Sequence, residues 1–181
     1  MTRRPLLYVI GPSGSGKSTL VRHLLGDLTR AELKDPIGHI LYRSGAIQLG
    51  TNRTTFSGTD ALPLNVNPKA IRFIQETSAP AVIAEGDRLA NDKFFDAAIK
   101  AGWDLTIVYL SITDDECARR RSERHHAMSP SFVKGRATKS VNLYRRWQAS
   151  ANVLILNANR APEDIARELT SHPAVRIARG G

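Results

Sequence analysis

Cysteine is nearly missing from this chain, with Cys117 alone among 181 residues. A single thiol excludes an internal disulfide and any cysteine-based zinc site. Long apolar runs are missing too, and no stretch is long enough to span a membrane. The opening Met-Thr-Arg-Arg-Pro passes directly into an apolar segment, which predicts that no signal peptide is present. Internal repeats and low-complexity tracts are also lacking. These absences predict a globular protein in the reducing cytoplasm, with Cys117 an incidental thiol on a charged helix. Acidic residues are scarce. Asp and Glu total 17 against 26 Lys and Arg, a net charge of +9. A small neutral substrate has no need of that excess, whereas a polyanion such as nucleic acid would neutralise it. The length and the 41% apolar content predict one domain over residues 1–181 with a sizeable core.

What is present begins with Gly11-Pro-Ser-Gly-Ser-Gly-Lys-Ser18, the phosphate-binding pattern G-x-x-x-x-G-K-[ST]. Gly11, Gly14 and Gly16 allow a tight turn and close approach of backbone to a polyphosphate. The backbone N–H groups around Ser13, Ser15 and Thr19 point at phosphate from a helix N-terminus. Lys17 supplies a point charge between β- and γ-phosphates, and the Ser18 hydroxyl is a ligand for Mg²⁺. The context agrees. Leu6 to Ile10 is an apolar run of the kind a buried parallel strand shows, and Ser18 to Leu25 has apolar residues at helical spacing. Strand, glycine loop and helix in that order predict binding of ATP with Mg²⁺.

Further along, strands and helices alternate, which predicts an α/β fold of three layers: a parallel sheet, helices on both faces and a small helical lid. Asp35-Pro36 closes the first unit. Residues 39–42 and 46–49 flank Arg43-Ser44-Gly45 as a hairpin, followed by a polar loop from Gly50 to Pro63. The hairpin and substrate loop together span about 38–63. Asn67-Pro68 reads as a helix cap and first residue. Strands follow at 81–84, 105–110 and 153–156. Helices follow at about 91–101, 131–149 and 162–169. Thr113 to Glu116 reads as a capping box, and the tail from Pro173 as short and basic.

Three more constellations carry chemistry. Glu85-Gly-Asp-Arg88 follows a buried strand, at the carboxyl edge where open parallel sheets bind ligands. Glu85 is there a candidate for the metal, Asp87 for a substrate proton, and Arg88 for substrate contact. In the long polar loop, Arg53, Thr54 and Thr59 are candidates for gripping the acceptor, and Asp60 is a second candidate general base. Arg119, Arg120, Arg121 and Arg124 crowd one helix, and Lys134, Arg136 and Lys139 follow Ser129-Pro130. Two basic helices with a short connection, about 119–139, predict a lid over transferring phosphate. Arg121 and Arg124 would neutralise developing charge, Arg120 would hold nucleotide, and Arg136 and Lys139 would hold substrate. His125 and His126 have no carboxylate spaced for zinc. Tyr144 and Trp147 read as core, and Asn159 lies where adenine or ribose would bind.

Together these segments resemble P-loop kinases of the nucleotide-kinase type along nearly the whole chain. A narrower resemblance rests on Leu49-Gly50, Gly58-Thr59-Asp60-Ala61-Leu62, Glu85 to Arg88 and Lys134-Gly-Arg-Ala-Thr-Lys139. These are similar to phage-encoded kinases that phosphorylate hydroxymethyluracil bases in DNA. The resemblance implies transfer of the γ-phosphoryl of ATP to a hydroxymethyl group on a modified pyrimidine in DNA, within the host cytoplasm. Alternatives are a kinase for a free nucleotide, nucleoside or other small hydroxyl metabolite, and a nucleotide-binding module without transfer chemistry.

Overall fold

Leu6, Leu7, Tyr8 and Val9 are completely inaccessible and Ile10 is nearly so. Only a central strand buries both faces in this way, and each such side chain contributes about 1.5–3 kcal/mol. The computed structural model describes residues 3–26, 28–52, 57–123 and 129–181. In chain order its elements are β1 (Arg4–Ile10), α1 (Lys17–Leu25), β2 (Arg30–Leu33), β3 (His39–Tyr42), β4 (Ile47–Leu49), β5 (Thr51–Asn52) and β6 (Ser57–Gly58). A 3-10 turn at Thr59–Ala61 precedes α2 (Asn67–Glu76), β7 (Val82–Glu85), α3 (Asp92–Lys100) and β8 (Trp103–Ser111). Then come α4 (Asp114–Glu123), α5 (Pro130–Trp147), β9 (Asn152–Asn157), α6 (Pro162–Leu169) and α7 (Pro173–Ala178).

The main sheet has the order β2-β3-β4-β7-β1-β8-β9. Strands β4, β7, β1, β8 and β9 run parallel, while β2 and β3 add antiparallel pairs at one edge. Alternation along β1 sends Leu6, Tyr8 and Ile10 into one core with α2, α3 and α5. It sends Leu7 and Val9 into a second core with α1, α6 and α7. The result is the expected three-layer α/β fold. In register, Val9 faces Glu85 and Ile10 faces Tyr109, so the loop after β1 and the end of β7 share one rim.

Several local expectations are corrected. Arg30 to Leu33 forms a strand that β-propensity did not announce; it is exposed throughout and pairs with β3 at the edge of the sheet. The Gly50–Pro63 segment is not a plain loop, because β5 and β6 pair Thr51 with Gly58 and Asn52 with Ser57. Asn67 is the first helical residue rather than a cap, and its Oδ1 accepts from Asn91 Nδ2 at 3.2 Å. The box at Thr113 is half formed. Thr113 Oγ1 accepts from Glu116 N at 3.4 Å, but the Glu116 carboxylate turns to Arg119 and Arg120. The tail is an ordered helix whose Ala174, Val175 and Ala178 are buried, and Arg179 ties it to Leu24 O at 3.1 Å. Trp147 is core and Tyr144 packs against it, as expected.

Candidate active site

The phosphate loop spans residues 11–16 between β1 and α1, with Gly14 and Gly16 at φ of 93° and 89°. Gly14 is required twice over, since a Cβ there would also lie 2.8 Å from the Cys117 carbonyl. Helix α4 therefore backs directly onto the loop. Cys117, a free thiol on this charged helix, is buried behind the loop. Lys17 Nζ donates to the carbonyls of Gly11 at 2.9 Å and Pro12 at 3.0 Å. Burial holds the Lys17 ammonium below its usual pKa, partly opposed by Glu85. The Ser15 hydroxyl is buried without a hydrogen-bond partner among the described residues. An orphaned donor in a cradle of backbone N–H groups suits an anionic phosphate oxygen.

Across the rim, Ser18 Oγ donates to Glu85 Oε1 at 2.8 Å. Glu85 is 2% exposed, and burial raises its pKa against the opposing pull of Lys17 and the Ser18 hydroxyl. Among the described residues no three His, Cys, Asp or Glu side chains converge on a metal position. The donor set at Ser18 and Glu85, one hydroxyl and one carboxylate, suits Mg²⁺ shared with a polyphosphate.

Residues 57–60 and 85–88 lie side by side. Ser57 Oγ donates to Ser18 Oγ at 2.6 Å and approaches Glu85 Oε1 at 3.2 Å. Thr59 Oγ1 donates to Glu85 O at 2.9 Å, and the Tyr8 hydroxyl reaches Thr59 Oγ1 and Gly86 O. Asp60 Oδ1 accepts from the backbone N–H of Asp87 at 2.9 Å and Arg88 at 3.1 Å. Gly58 makes this approach possible. Its φ is +60°, and a Cβ there would lie 2.4 Å from Glu85 Oε1.

From above, α5 brings Arg136 and Lys139. Arg136 Nη1 meets Asp60 Oδ2 at 3.2 Å and its Nε meets Asp87 Oδ2 at 3.6 Å. Lys139 Nζ lies 3.1 Å from Asp87 Oδ1. Phe132 stacks under the Arg136 guanidinium at 4.7 Å. Arg88 Nε is buried here without a hydrogen-bond partner among the described residues, while its Nη2 reaches Asp60 O at 3.4 Å. Thr59, Asp60, Asp87, Arg88, Arg136 and Lys139, drawn from three separate segments of the sequence, thus lie together.

The α4 arginines divide by face. Arg121 Nη1 donates to Ser13 O at 2.8 Å, at the phosphate loop. Arg120 pairs with Glu116 and donates to Ala158 O at 2.9 Å, beside the β9–α6 turn. Arg119 stays on the solvent side with Glu116 and Glu123. Asn159 lies beside Arg120, but its Oδ1 accepts from Thr113 Oγ1 at 3.2 Å and so braces the start of α4. A cavity of about 800 Å³ separates α4 from α5, with Pro12 and Cys117 in its wall. Arg53, Thr54, Arg124, His125 and His126 lie outside the described residues. Sequence reasoning missed Ser57 and Tyr8. Ser57 carries no motif of its own, and Tyr8 reads as one apolar residue of a strand.

A parallel sheet with a lysine-bearing glycine loop at its carboxyl rim, facing paired carboxylates under a basic helix, defines a P-loop kinase. The chain belongs to the P-loop nucleotide kinase family, whose model, described as P-loop Nucleotide Kinase3, matches residues 1–171. It is a phosphotransferase of the kinase type. No curated protein matches it. Among solved structures it is similar to an unliganded sugar kinase from Janibacter sp. HTCC2649, at 14% identity over 94% of this chain and 97% of that one, with a TM-score of 0.55. It is also similar to a gluconokinase from Sinorhizobium meliloti 1021, at 15% identity over 99% and 97%, with a TM-score of 0.53. Likeness at this identity establishes the fold.

Proposed function

We propose that this kinase transfers the γ-phosphoryl group of ATP to a hydroxyl on a small acceptor such as a nucleoside, nucleotide or sugar-like metabolite. The observation that carries this is the Asp60–Arg136–Asp87–Lys139 cluster, joined to the phosphate loop through Glu85 and Ser18. In this reading Lys17 would sit beside the β- and γ-phosphates, and Ser18 with Glu85 would hold Mg²⁺, which would offset phosphate charge. Asp60 has one oxygen committed to two backbone N–H groups and the other to Arg136, so it positions rather than reacts. Asp87 is paired through side chains, with Lys139 at 3.1 Å and Arg136 at 3.6 Å, and is the acceptor-facing carboxylate in this reading. The acceptor oxygen attacks the γ-phosphorus, the bond to the β-bridging oxygen breaks, ADP departs, and the hydroxyl proton passes to Asp87. Arg121 and Arg136 offset charge on the transferring group, and Arg120 flanks the nucleoside end. Absence of a membrane-crossing helix among the described residues and a single buried thiol suit the cytoplasm.

A second reading places the acceptor in DNA, as the hydroxymethyl group of 5-hydroxymethyluracil. The net charge of +9 favours it, together with the resemblance carried by residues 58–62 and 134–139. A base in a duplex must first leave the stack, unless the DNA is single-stranded. The test offers Mg²⁺ and γ-labelled ATP with free nucleosides, nucleotides and sugars beside hydroxymethyluracil DNA. Label on a free acceptor, insensitive to salt, supports the small-molecule reading. Label on DNA alone, with affinity falling roughly 0.9 log units per neutralised phosphate per log unit of salt, replaces it with the second.

A further inference from the structure

Ser57 has no part in the phosphate loop or in the carboxylate pair, yet its hydroxyl lies at the centre of the site. The oxygens Ser18 Oγ, Ser57 Oγ and Glu85 Oε1 form a triangle with edges of 2.6, 2.8 and 3.2 Å. Mg²⁺ binds oxygens at about 2.0–2.1 Å in octahedral geometry, so adjacent oxygens of its shell lie about 2.9 Å apart. The triangle has the size of one octahedral face. The proton order also fits: Ser57 donates to Ser18, Ser18 donates to Glu85, and each oxygen keeps a lone pair. The arrangement is held tightly. Gly58 is pressed against the Glu85 carboxylate, and Thr59 is fixed to the Glu85 carbonyl at 2.9 Å.

We propose that Ser57 is a third protein oxygen of the divalent cation site, and that it ties the acceptor segment to the metal. This rests on the nucleotide site described above. Ser57 stands three residues before Asp60, which carries the backbone of Asp87 on its carboxylate. Cation binding at Ser18 and Glu85 therefore fixes the strand that places the acceptor-facing carboxylate. The cation would bind more tightly than two protein oxygens allow, and acceptor affinity would rise with it.

The test measures binding without turnover. Mn²⁺ affinity is read by electron paramagnetic resonance in the complex with a non-hydrolysable ATP analogue. Ser57→Ala should weaken Mn²⁺ roughly tenfold while leaving metal-free analogue affinity unchanged. Ser57→Thr keeps the hydroxyl and should keep the affinity. Ser57→Cys puts a soft ligand in the same place, so Cd²⁺ should give an ultraviolet thiolate-to-metal band that the parent, with its buried Cys117, does not give. Ser57→Ala binding Mn²⁺ as the parent does, or Ser57→Cys giving no band, overturns the proposal and leaves the kinase reading standing. A parent that binds neither analogue nor Mn²⁺ overturns both.

Discussion

Replacing Asp60 by Asn separates positioning from chemistry. The Asp60 side chain is 14% exposed and Arg136 is 19% exposed, so solvent screens the pair only in part. Asn retains Oδ1 and weaker versions of the bonds from Asp87 N and Arg88 N. Its amide N–H₂ would then face the Arg136 guanidinium, donor against donor. Breaking one side of a fully buried pair costs about 3–5 kcal/mol, and partial exposure reduces this to about 2–3 kcal/mol. A chain of this size loses about 2–4 °C per kcal/mol, so melting should fall by about 4–12 °C. Asp87→Asn leaves Lys139, 41% exposed, to water and loosens the longer 3.6 Å contact with Arg136, which keeps Asp60 at 3.2 Å, so it should cost about 1 kcal/mol or less. It should instead lower kcat by about 10²–10⁴-fold. Circular-dichroism melting and steady-state turnover on both variants decide the matter. Asp60→Asn that melts with the parent yet loses turnover, beside Asp87→Asn at full rate, would reverse the two roles.

Three other outcomes follow from the same geometry. Lys17→Met should lower transfer roughly a hundred-fold or more, measured at saturating ATP; parent-like turnover would contradict the phosphate-loop assignment. Gly58→Ala puts a methyl group 2.4 Å from Glu85 Oε1 at a φ of +60° and should cost about 2–4 kcal/mol in urea unfolding. An unchanged midpoint would contradict the packing of residues 57–60 on β7. His172 Nδ1 accepts from Ala174 N at 3.2 Å to cap α7, and burial lowers its pKa from 6.5. The neutral ring is the folded form, so this stability is present above pH 6.5 and is lost as pH falls through the lowered folded value. His172→Asn keeps a cap acceptor and should remove that slope, which thermal melts between pH 7 and pH 5 would show.

The parts of the site built from contiguous residues were legible in the sequence. The phosphate loop is local chemistry, with glycines, Lys17 and Ser18 fixed by spacing and flanked by an apolar strand and a helix. Glu85 to Arg88 was legible because parallel sheets present strand ends to ligands. Ser57 was not, because its meaning comes from Ser18 and Glu85, 39 and 28 residues away. The division of labour proposed for Asp60 and Asp87 was hidden for the same reason, since it depends on which backbone N–H groups Asp60 accepts from. In the fold, β2 escaped because an exposed Arg-Ala-Glu-Leu strand has neither alternation nor branched residues. Helix α7 was taken for a tail because its burial depends on β1 and α1, which no local pattern discloses.

The most direct measurement is transfer of label from γ-labelled ATP to hydroxyl acceptors by the parent and by Lys17→Met in parallel. Label should appear on an acceptor hydroxyl with the parent, depend on Mg²⁺, and vanish with Lys17→Met. Slow ATP hydrolysis that no acceptor in the panel accelerates, equal in both proteins, would contradict a kinase site at this rim.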